Sequence, residues 1–481
     1  MIDVFAATNA EQTPRLSPTD LSQFVRLGQC ERYLRLRLHE RNVDGRFMAK
    51  YGVRTAPITP LLTRSGAAFE RRVMGDIAAR HATTDFALGN SHSKDRDEDN
   101  AALVAAAMAL APGETHVFFQ ARLGATLGDW RVRGDVDILR LARDADGALH
   151  ALIADMKSST SAKVEHRLQV AFYAEMLDAL FAAHATGHAP VALAVLYRGS
   201  EAANDDLGTA EQRVAAQEVF GTAHGLLEVV ADADAYRRSV RDLVTAPDSI
   251  AARVMVTAFD DLAFHLDYKC DGCVYNEFCM KRIAERDDLS LVPHLTAQEK
   301  GLLVREGVRT VAALATLKEF ASETEGDEGE RVPILTPAAG REAECQSLAT
   351  RPVGVRLDEL IHRARRYRTY EGDALDTLSY IPHKGYGSLP YTDAAHNPNL
   401  IRVYLDAGGD YLTHRLSYAG ALIVGCDAGE ESPGRHRRWQ RACRTRRARR
   451  RCCSGGPRAC STASRRSRPR TRTACSAPRS T

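Results

Sequence analysis

The clearest pattern along the chain is a group of strand-like segments in its first half, where apolar residues alternate with polar ones or run together. Three of them follow one another closely, and a fourth comes later: THVFFQARLGAT (115–126), WRVRGDVDILRLA (130–142), HALIADMKSS (150–159) and PVALAVLYRG (190–199). Turn residues at 144–147 separate the second segment from the third. The pattern therefore predicts a small sheet.

Helical periodicity surrounds these strands. Ser17-Pro18-Thr19-Asp20 is a helix N-cap signal at the start of a helical pattern over 17–40. Further helices are predicted over 65–79 and 166–185, and helical segments continue to about Glu285, whereas 83–100 reads as a polar loop. This order predicts an α/β fold over residues 15–285, with helices before and after the sheet.

The rest of the chain divides into shorter parts. Residues 290–318 are predicted to form a small helical unit, and 319–397 a loop-rich linker. Two strands are predicted over 400–425, as the start of another domain. The final segment, 426–481, is Arg-rich and lacks apolar periodicity, so it is predicted to be disordered.

Charge is distributed unevenly. The formal net charge is +3, but residues 435–481 contain 17 Arg and no Asp, Glu or Lys. The remainder is therefore acidic, and any nucleic-acid groove must be a local basic feature. The tail reads either as a basic nucleic-acid-binding segment or, as we favour, as the product of a shifted reading frame after about Gly425.

Composition is that of a globular protein, with 44% hydrophobic and 26% charged residues. The sequence contains no long apolar run typical of a membrane span, and no secretory signal pattern opens it. We therefore expect a cytoplasmic protein, in which clustered cysteines are more often metal ligands or reactive thiols than disulfides.

Two neighbouring predicted strands carry residues suited to metal-dependent chemistry. Asp137 lies in GDVDILRL, and Asp155 and Lys157 lie two residues apart in ALIADMKSS, so their side chains project to the same side of the strand. Two carboxylates can hold a hard divalent cation, and a lysine beside them can steady phosphate charge or orient the attacking water. Alone, an Asp-x-Lys pair is more often an exposed ion pair.

Flanking helices supply further candidates. Glu70 follows Gly66 by one helical turn on the preceding helix, and Gln169 and Tyr173 share one face of the following helix. Each of these residues alone would pass as a surface residue. Their order along the chain is more specific: helix Glu, strand Gly-x-x-Asp, strand Asp-x-Lys, helix Gln-x-x-x-Tyr.

This order resembles the PD-(D/E)xK nucleases, specifically their RecB branch. The resemblance implies a restriction-endonuclease-like core, in which Glu70, Asp137 and Asp155 bind Mg²⁺ or Mn²⁺, Lys157 is the catalytic lysine, and Gln169 and Tyr173 support them. The branch often has His where this chain has Glu70. The implied activity is hydrolysis of DNA, acting on single-stranded ends in repair or recombination. The alternative is a non-catalytic nucleic-acid-binding module of a helicase–nuclease assembly.

Three cysteines lie within ten residues in YKCDGCVYNEFCMKR, namely Cys270, Cys273 and Cys279. A fourth ligand would complete a zinc or iron–sulphur site, and Cys30 is the best candidate. One upstream and three downstream cysteines resemble the iron–sulphur nucleases, which implies a [4Fe–4S] cluster that clasps the two ends of the domain. Structural Zn²⁺ is the alternative, with His265 or His294 able to replace Cys30.

The C-terminal parts carry weaker resemblances. The helical unit, with a turn at Gly307, resembles a helix-hairpin-helix that contacts DNA, although a plain helical spacer fits equally. Residues 401–424 resemble the first strands of a YprB-type RNase H-like domain. Asp406 matches its first carboxylate, but Gly408 stands where the second belongs, so we expect this domain to be truncated and inactive.

Overall fold

A computed structural model describes residues 13–43, 45–51, 60–87, 96–199, 207–325, 331–370, 401–410, 415–427, 430–432 and 437–439. The chain divides into two compact units. The first comprises residues 1–199 and 204–387, and the second comprises residues 200–203 and 388–481. All candidate site residues except Asp406 and Gly408 belong to the first unit.

The described residues of the first unit form a seven-stranded mixed sheet in the order β2-β3-β4-β5-β6-β7, with β1 paired to β4. Its strands are β1 Arg15–Leu16, β2 Ala82–Asp85, β3 Thr115–Leu127, β4 Trp130–Arg143, β5 Leu149–Lys157, β6 Ala192–Tyr197 and β7 Leu226–Val229. Strands β3, β4 and β5 form an antiparallel meander, and β6 joins β5 in parallel. The four strands predicted from alternation are thus β3 to β6.

Strands β4 and β5 separate partway along their length. Their pairing ends at Ile138 opposite Ala154, and from there β5 continues beside β6 while β4 continues beside β3. The short strand β1 pairs with β4 beyond the separation, at Arg131 and Val132. We call the point of separation the fork. Asp137 and Asp155 are the first residues beyond the last pair, so the fork places both carboxylates where the ladder opens.

Helices cover both faces of the sheet. The helices within residues 15–285 are α1 Pro18–Arg26, α2 Glu31–Asn42, α3 Phe47–Lys50, α4 Pro60–Ala78, α5 Asp97–Ala109, α6 Val164–Ala183, α7 Leu207–Phe220, α8 Ala233–Val244, α9 Ile250–Val256 and α10 Asn276–Glu285. One core packs α4 and α7 against one face through residues such as Val73 and Phe220. The larger core contains α6, whose buried face includes Phe172 and Phe181. The predicted α/β architecture is confirmed.

The first helical pattern is two helices rather than one over 17–40. Ser17 and Asp20 form the expected capping box at the start of α1. Gly28 and Gln29 then adopt positive φ angles of 69° and 60°, which a continuous α-helix does not allow. Helix α2 restarts immediately afterwards with Cys30 at its N-cap. The break therefore sets the position of the candidate upstream cysteine.

Two further sequence predictions for this region need correction. The segment 83–100 is not all loop, because β2 extends to Asp85 and α5 begins at Asp97. The stretch before Glu285 also contains β7, which pairs antiparallel with β6. Both strands are four residues long, too short for alternation to stand out from sequence alone.

Residues 289–370 build a second hydrophobic core within the first unit. Its elements are α11 Ala297–Arg305, α12 Val311–Ala315, β8 Lys318–Glu325, β9 Arg331–Pro337, α13 Glu342–Ala349 and α14 Leu357–Tyr370. Helices α11 and α12 flank Gly307, which has the left-handed φ of 84° expected of a tight turn. The prediction of a loop-rich linker over 319–397 is wrong up to residue 370, because Leu335, Leu348 and Leu360 pack onto this core. Residues 371–397 lie outside the described residues.

The second unit contains the two strands predicted over 400–425. They are β10 Ile401–Asp410 and β11 Arg415–Asp427, which pair antiparallel. Asp406 and Gly408 both lie on β10. Two short strands, β12 Glu430–Ser432 and β13 Arg437–Trp439, also pair with β11. The prediction of disorder over 426–481 is therefore wrong for these strands, and residues 440–481 lie outside the described residues. Within the described residues, no helix is both long and apolar enough to cross a membrane.

Candidate active site

The fork holds Asp137 and Asp155 through different contacts. The backbone N–H of Met156 donates to Asp137 Oδ2 at 2.8 Å, and the Gln120 side-chain amide donates to Asp137 Oδ1 at 3.1 Å. Asp155 is buried, with a side chain only 2% exposed. Its Oδ2 atom is in an ion pair with Lys157 but accepts no well-aligned hydrogen bond from the other described residues. A buried carboxylate oxygen in that state is suited to a cation.

Lys157 lies beside Asp155, as the alternation of the strand predicts. Its Nζ atom is 2.6 Å from Asp155 Oδ2, and its side chain remains 26% exposed. Burial disfavours the ammonium form, but the charges of Asp155 and Asp137 outweigh it and raise the pKa of Lys157. Burial, followed by repulsion from Asp137, raises the pKa of the Asp155 carboxyl. The carboxylates of the site thus surround the partly exposed ammonium group of Lys157 with negative charge.

Glu70 reaches the same site from helix α4. Burial raises the pKa of Glu70, and so does the charge of Asp137, while Lys157 opposes the rise. Glu70 therefore lies within electrostatic reach of both residues. Gly66 lies one turn before Glu70, where α4 approaches the sheet. A Cβ atom on Gly66 would meet Ser158 Cβ at 3.9 Å, an ordinary contact, so the approach does not depend on glycine there.

Gln169 and Tyr173 form a buried pair on helix α6. The Gln169 amide donates to the Tyr173 hydroxyl at 3.2 Å. Burial raises the pKa of Tyr173 well above its usual value, and the charge of Asp155 raises it further, which places the phenol near the carboxylates. A Cβ atom on Gly134 would lie 2.5 Å from Tyr173 Cε1. Here glycine is required, because strand β4 passes directly against the tyrosine ring.

Two residues near the site were missed by sequence reasoning. Gln120 has a left-handed φ of 49° and interrupts the β3–β4 pairing opposite Asp137. Its neighbours Phe119 and Ala121 belong to different hydrophobic cores, so side-chain alternation reverses there. The second is His166, whose pKa is lowered to about 3 by burial and by the charge of Lys157. A single Gln in a strand and a single His in a helix belong to no sequence motif. No pattern in the sequence therefore indicates either residue.

Three carboxylates at this site could serve as ligands of a divalent cation. Asp137, Asp155 and Glu70 supply carboxylate oxygens, the ligands that Mg²⁺ and Mn²⁺ prefer. The buried Asp155 Oδ2 and the mutual repulsion of the three carboxylates fit a cation that would offset their charge. Within the described residues, however, no group of three or more His, Cys, Asp or Glu side chains is already arranged to hold a metal. The carboxylate oxygens of these residues suit Mg²⁺ or Mn²⁺. Their side chains would have to move closer together to bind the ion.

Cys30 lies within electrostatic reach of the other three candidate cysteines, although some 240 residues separate it from them. Burial raises the pKa of Cys279 far above its usual value, and Cys30, Cys273 and Cys270 each raise it further by charge repulsion. Burial raises the pKa of Cys30 to about 11, and Cys273 and Cys270 add to that rise. The structure therefore brings Cys30 to the downstream triad.

Within the described residues, these thiols do not form a group already arranged to hold a metal. The Cys270 thiol is turned toward Asp267 Oδ1, 3.9 Å away. His265, considered as a replacement for Cys30, lies 3.5 Å from Ser290 Oγ. The donor set is soft, which suits zinc or iron–sulphur, and Cys30 is the upstream residue that contacts the triad electrostatically.

Comparison with known proteins agrees with this geometry. Residues 62–280 match the family model described as the PD-(D/E)XK nuclease superfamily. No curated protein matches the chain. A solved structure titled "Crystal structure of SSO0001" aligns with 56% of this chain and 87% of that chain, at 11% identity and a TM-score of 0.21. Because the TM-score is so low, this alignment does not support a family assignment. The assignment rests on the family model and the sheet topology. The similarity to the PD-(D/E)XK nuclease superfamily thus covers residues 62–280, slightly less than half of the chain.

Proposed function

We propose that this protein is a nuclease that hydrolyses DNA phosphodiester bonds with Mg²⁺ or Mn²⁺, exonucleolytically, on single-stranded ends in repair or recombination. The observation that supports it best is the fork, which places Asp137 and Asp155 at the opening of the ladder with Lys157 Nζ 2.6 Å from Asp155. The proposal includes a RecB-like assignment, a cytoplasmic location and a possible helicase partner.

Each residue of the site has a part in this chemistry. Asp137, Asp155 and Glu70 would hold the cation, which when bound supplies a Lewis acid and lowers the pKa of an attacking water. Lys157, the partly exposed ammonium group, would neutralise charge that develops on the phosphate. Gln169 and Tyr173 are buried and would fix the position of the carboxylates from the α6 side. Gln120 and the Met156 N–H hold Asp137 in place.

We further propose that Cys30, Cys270, Cys273 and Cys279 bind a [4Fe–4S] cluster, with structural Zn²⁺ as the alternative. The support is the convergence of four thiols from distant parts of the chain. Bound metal would tie the N-terminus of α2 to α10 and the turn before it. Its role would be structural, because it connects the two ends of the nuclease domain.

The alternative is a module that binds nucleic acid without cutting it. The observation in its favour is that the described residues present no group already arranged to hold a metal. Against it stands the complete set of three carboxylates and a lysine, since binding phosphate alone does not need a buried carboxylate cluster that repels it.

The experiment that tests the proposal is incubation of the purified full chain with end-labelled single-stranded DNA and Mn²⁺. We expect stepwise shortening from an end, none in EDTA, and resistance of a circular single strand. Endonucleolytic cutting of the circle would contradict the exonuclease assignment. Retention of the DNA without degradation would overturn the nuclease proposal in favour of the binding module.

A further inference from the structure

A groove of about 500 Å³ lies in the first unit, outside the carboxylate site. Three segments line it: the end of α1, the start of α6 and the 3-10 turn Tyr268–Gly272, which carries Cys270. We call it the basic groove, and it is partly open to solvent. The side chains that line the basic groove belong neither to the carboxylate site nor to the four candidate cysteines.

Three cations surround the basic groove, Arg26, Lys163 and Lys269, against one acidic residue, Glu165. Each segment contributes one of them. Within the described residues, none of the three cations forms a recorded ion pair. A Cβ atom on Gly272 would lie 2.8 Å from Arg26 Nη2, and one on Gly28 would lie 3.3 Å from Lys269 Nζ, so these two cations reach across between the segments. In a chain whose body is acidic, this is the local basic feature that a polyanion requires.

An exposed aromatic side chain lines the same groove as these charges. Tyr268 is 81% exposed, an unusual state for so large an apolar ring, and Val164, which also lines the groove, is 53% exposed. Neither residue is needed to complete a hydrophobic core. An exposed aromatic ring flanked by cations is the arrangement on which the bases of a single strand stack while its phosphates pair with the charges.

The basic groove adjoins the carboxylate site through the first turn of α6. The backbone N–H of Lys163 donates to His166 Nδ1 at 3.3 Å. His166 in turn lies within electrostatic reach of Lys157. Lys163 also follows Lys157, the last residue of β5, by six positions along the chain. Six residues span at most about 20 Å, so a strand lying in the basic groove would be near the fork.

We propose that the basic groove binds single-stranded DNA and leads it to the fork, with one base stacked on Tyr268 and neighbouring phosphates contacted by Arg26, Lys163 and Lys269. The proposal rests on the nuclease function proposed above and names how its substrate is selected. Duplex DNA is excluded because its base faces are already stacked, so Tyr268 could not engage them without unpairing.

Binding is measured in EDTA, where catalysis cannot contribute, by fluorescence anisotropy of a short labelled single strand with the full chain. Tyr268→Ala should weaken binding about tenfold, and Tyr268→Phe should retain it, because stacking needs the ring and not the hydroxyl. Arg26→Gln and Lys269→Gln should each flatten the dependence of log affinity on log salt by about 0.7. The matched control is Arg238→Gln, an exposed arginine on α8 outside the groove, which should bind like the parent.

The outcomes separate this proposal from the nuclease function. Equal binding by Tyr268→Ala and the parent, or equal affinity for the duplex, would overturn the groove assignment even if the protein cleaves DNA. Tighter binding of the same sequence as RNA would overturn the assignment to DNA. Binding that depends on Tyr268 in a protein that cleaves nothing with Mn²⁺ would support the groove and remove the nuclease function.

Discussion

Replacing Lys157 by alanine should reduce the rate of DNA cleavage by about a thousandfold, the loss expected when one group that stabilises transition-state charge is removed. The physical reason is that Lys157 is the partly exposed ammonium group within 2.6 Å of the buried Asp155 carboxylate. No other cation of the described residues is paired with either fork carboxylate in the recorded ion pairs. Single-turnover cleavage of a labelled single strand measures the effect.

Two further variants keep that result interpretable. Lys157→Gln preserves most of the side-chain length and a hydrogen bond to Asp155 without the charge, and it should be nearly as inactive. Lys281→Ala removes an exposed lysine of α10, outside the fork, and should cut like the parent. Circular dichroism checks that each variant is folded. Parent-like cleavage by a folded Lys157→Ala protein would show that this lysine has no catalytic role.

Replacing Cys279 by serine should remove the bound metal and lower the free energy of unfolding by about 3 kcal/mol or more, because metal binding at a structural site contributes directly to folding. Cys279 is the most fully buried of the four converging thiols, and the other three all act on it electrostatically. An iron–sulphur protein would lose its absorbance near roughly 400 nm. A zinc protein would be colourless and would lose zinc in elemental analysis.

Cys345 supplies the matched control for this substitution. It is also buried, but it lies in the second core, where its thiol donates to the Leu317 carbonyl at 3.6 Å. A serine hydroxyl can make the same contact, so Cys345→Ser should retain both metal and stability. Cys30→Ser should behave like Cys279→Ser. If either of these two bound metal and unfolded like the parent, the four-cysteine site would be wrong.

Sequence patterns predicted those features that depend on local spacing. Alternation along one strand placed Asp155 and Lys157 on the same side, and the structure pairs them. Ser17 and Asp20 predicted the start of α1 for the same reason, because a capping box spans only four consecutive residues. The convergence of Cys30 with Cys279 came from resemblance to a family, since spacing alone cannot bring residues some 240 positions apart together.

Features that depend on long-range packing could not be predicted in this way. The fork arises because β5 leaves β4 to follow β6, a choice made by tertiary contacts beyond any local window. The reversal of side-chain alternation at Gln120 depends on a left-handed backbone conformation, which cannot be predicted from the residue type. The core of residues 289–370 was missed because its apolar residues, such as Leu335 and Leu360, are spread over short elements that meet only in the fold.

One domain can combine the carboxylate site, the basic groove and the candidate cysteines because neighbouring elements of the fold carry them. Helix α6 carries Tyr173 against Gly134 on one turn, His166 near Lys157 on another, and Lys163 at the basic groove. The 3-10 turn on the other side of that groove carries Cys270. The proposed metal clasp, strand path and reaction site therefore share one framework, and movement of α6 would disturb all three.

The central claim is that the carboxylates of the fork bind the catalytic cation, and anomalous diffraction from crystals soaked in MnCl₂ tests it most directly. We predict a manganese peak about 2.1 Å from carboxylate oxygens of Asp155 and Asp137, the distance typical of a hard cation with such ligands, with Glu70 near it. The peak should vanish in Asp155→Asn crystals. A peak bound elsewhere, or one that persists in that variant, would contradict the account.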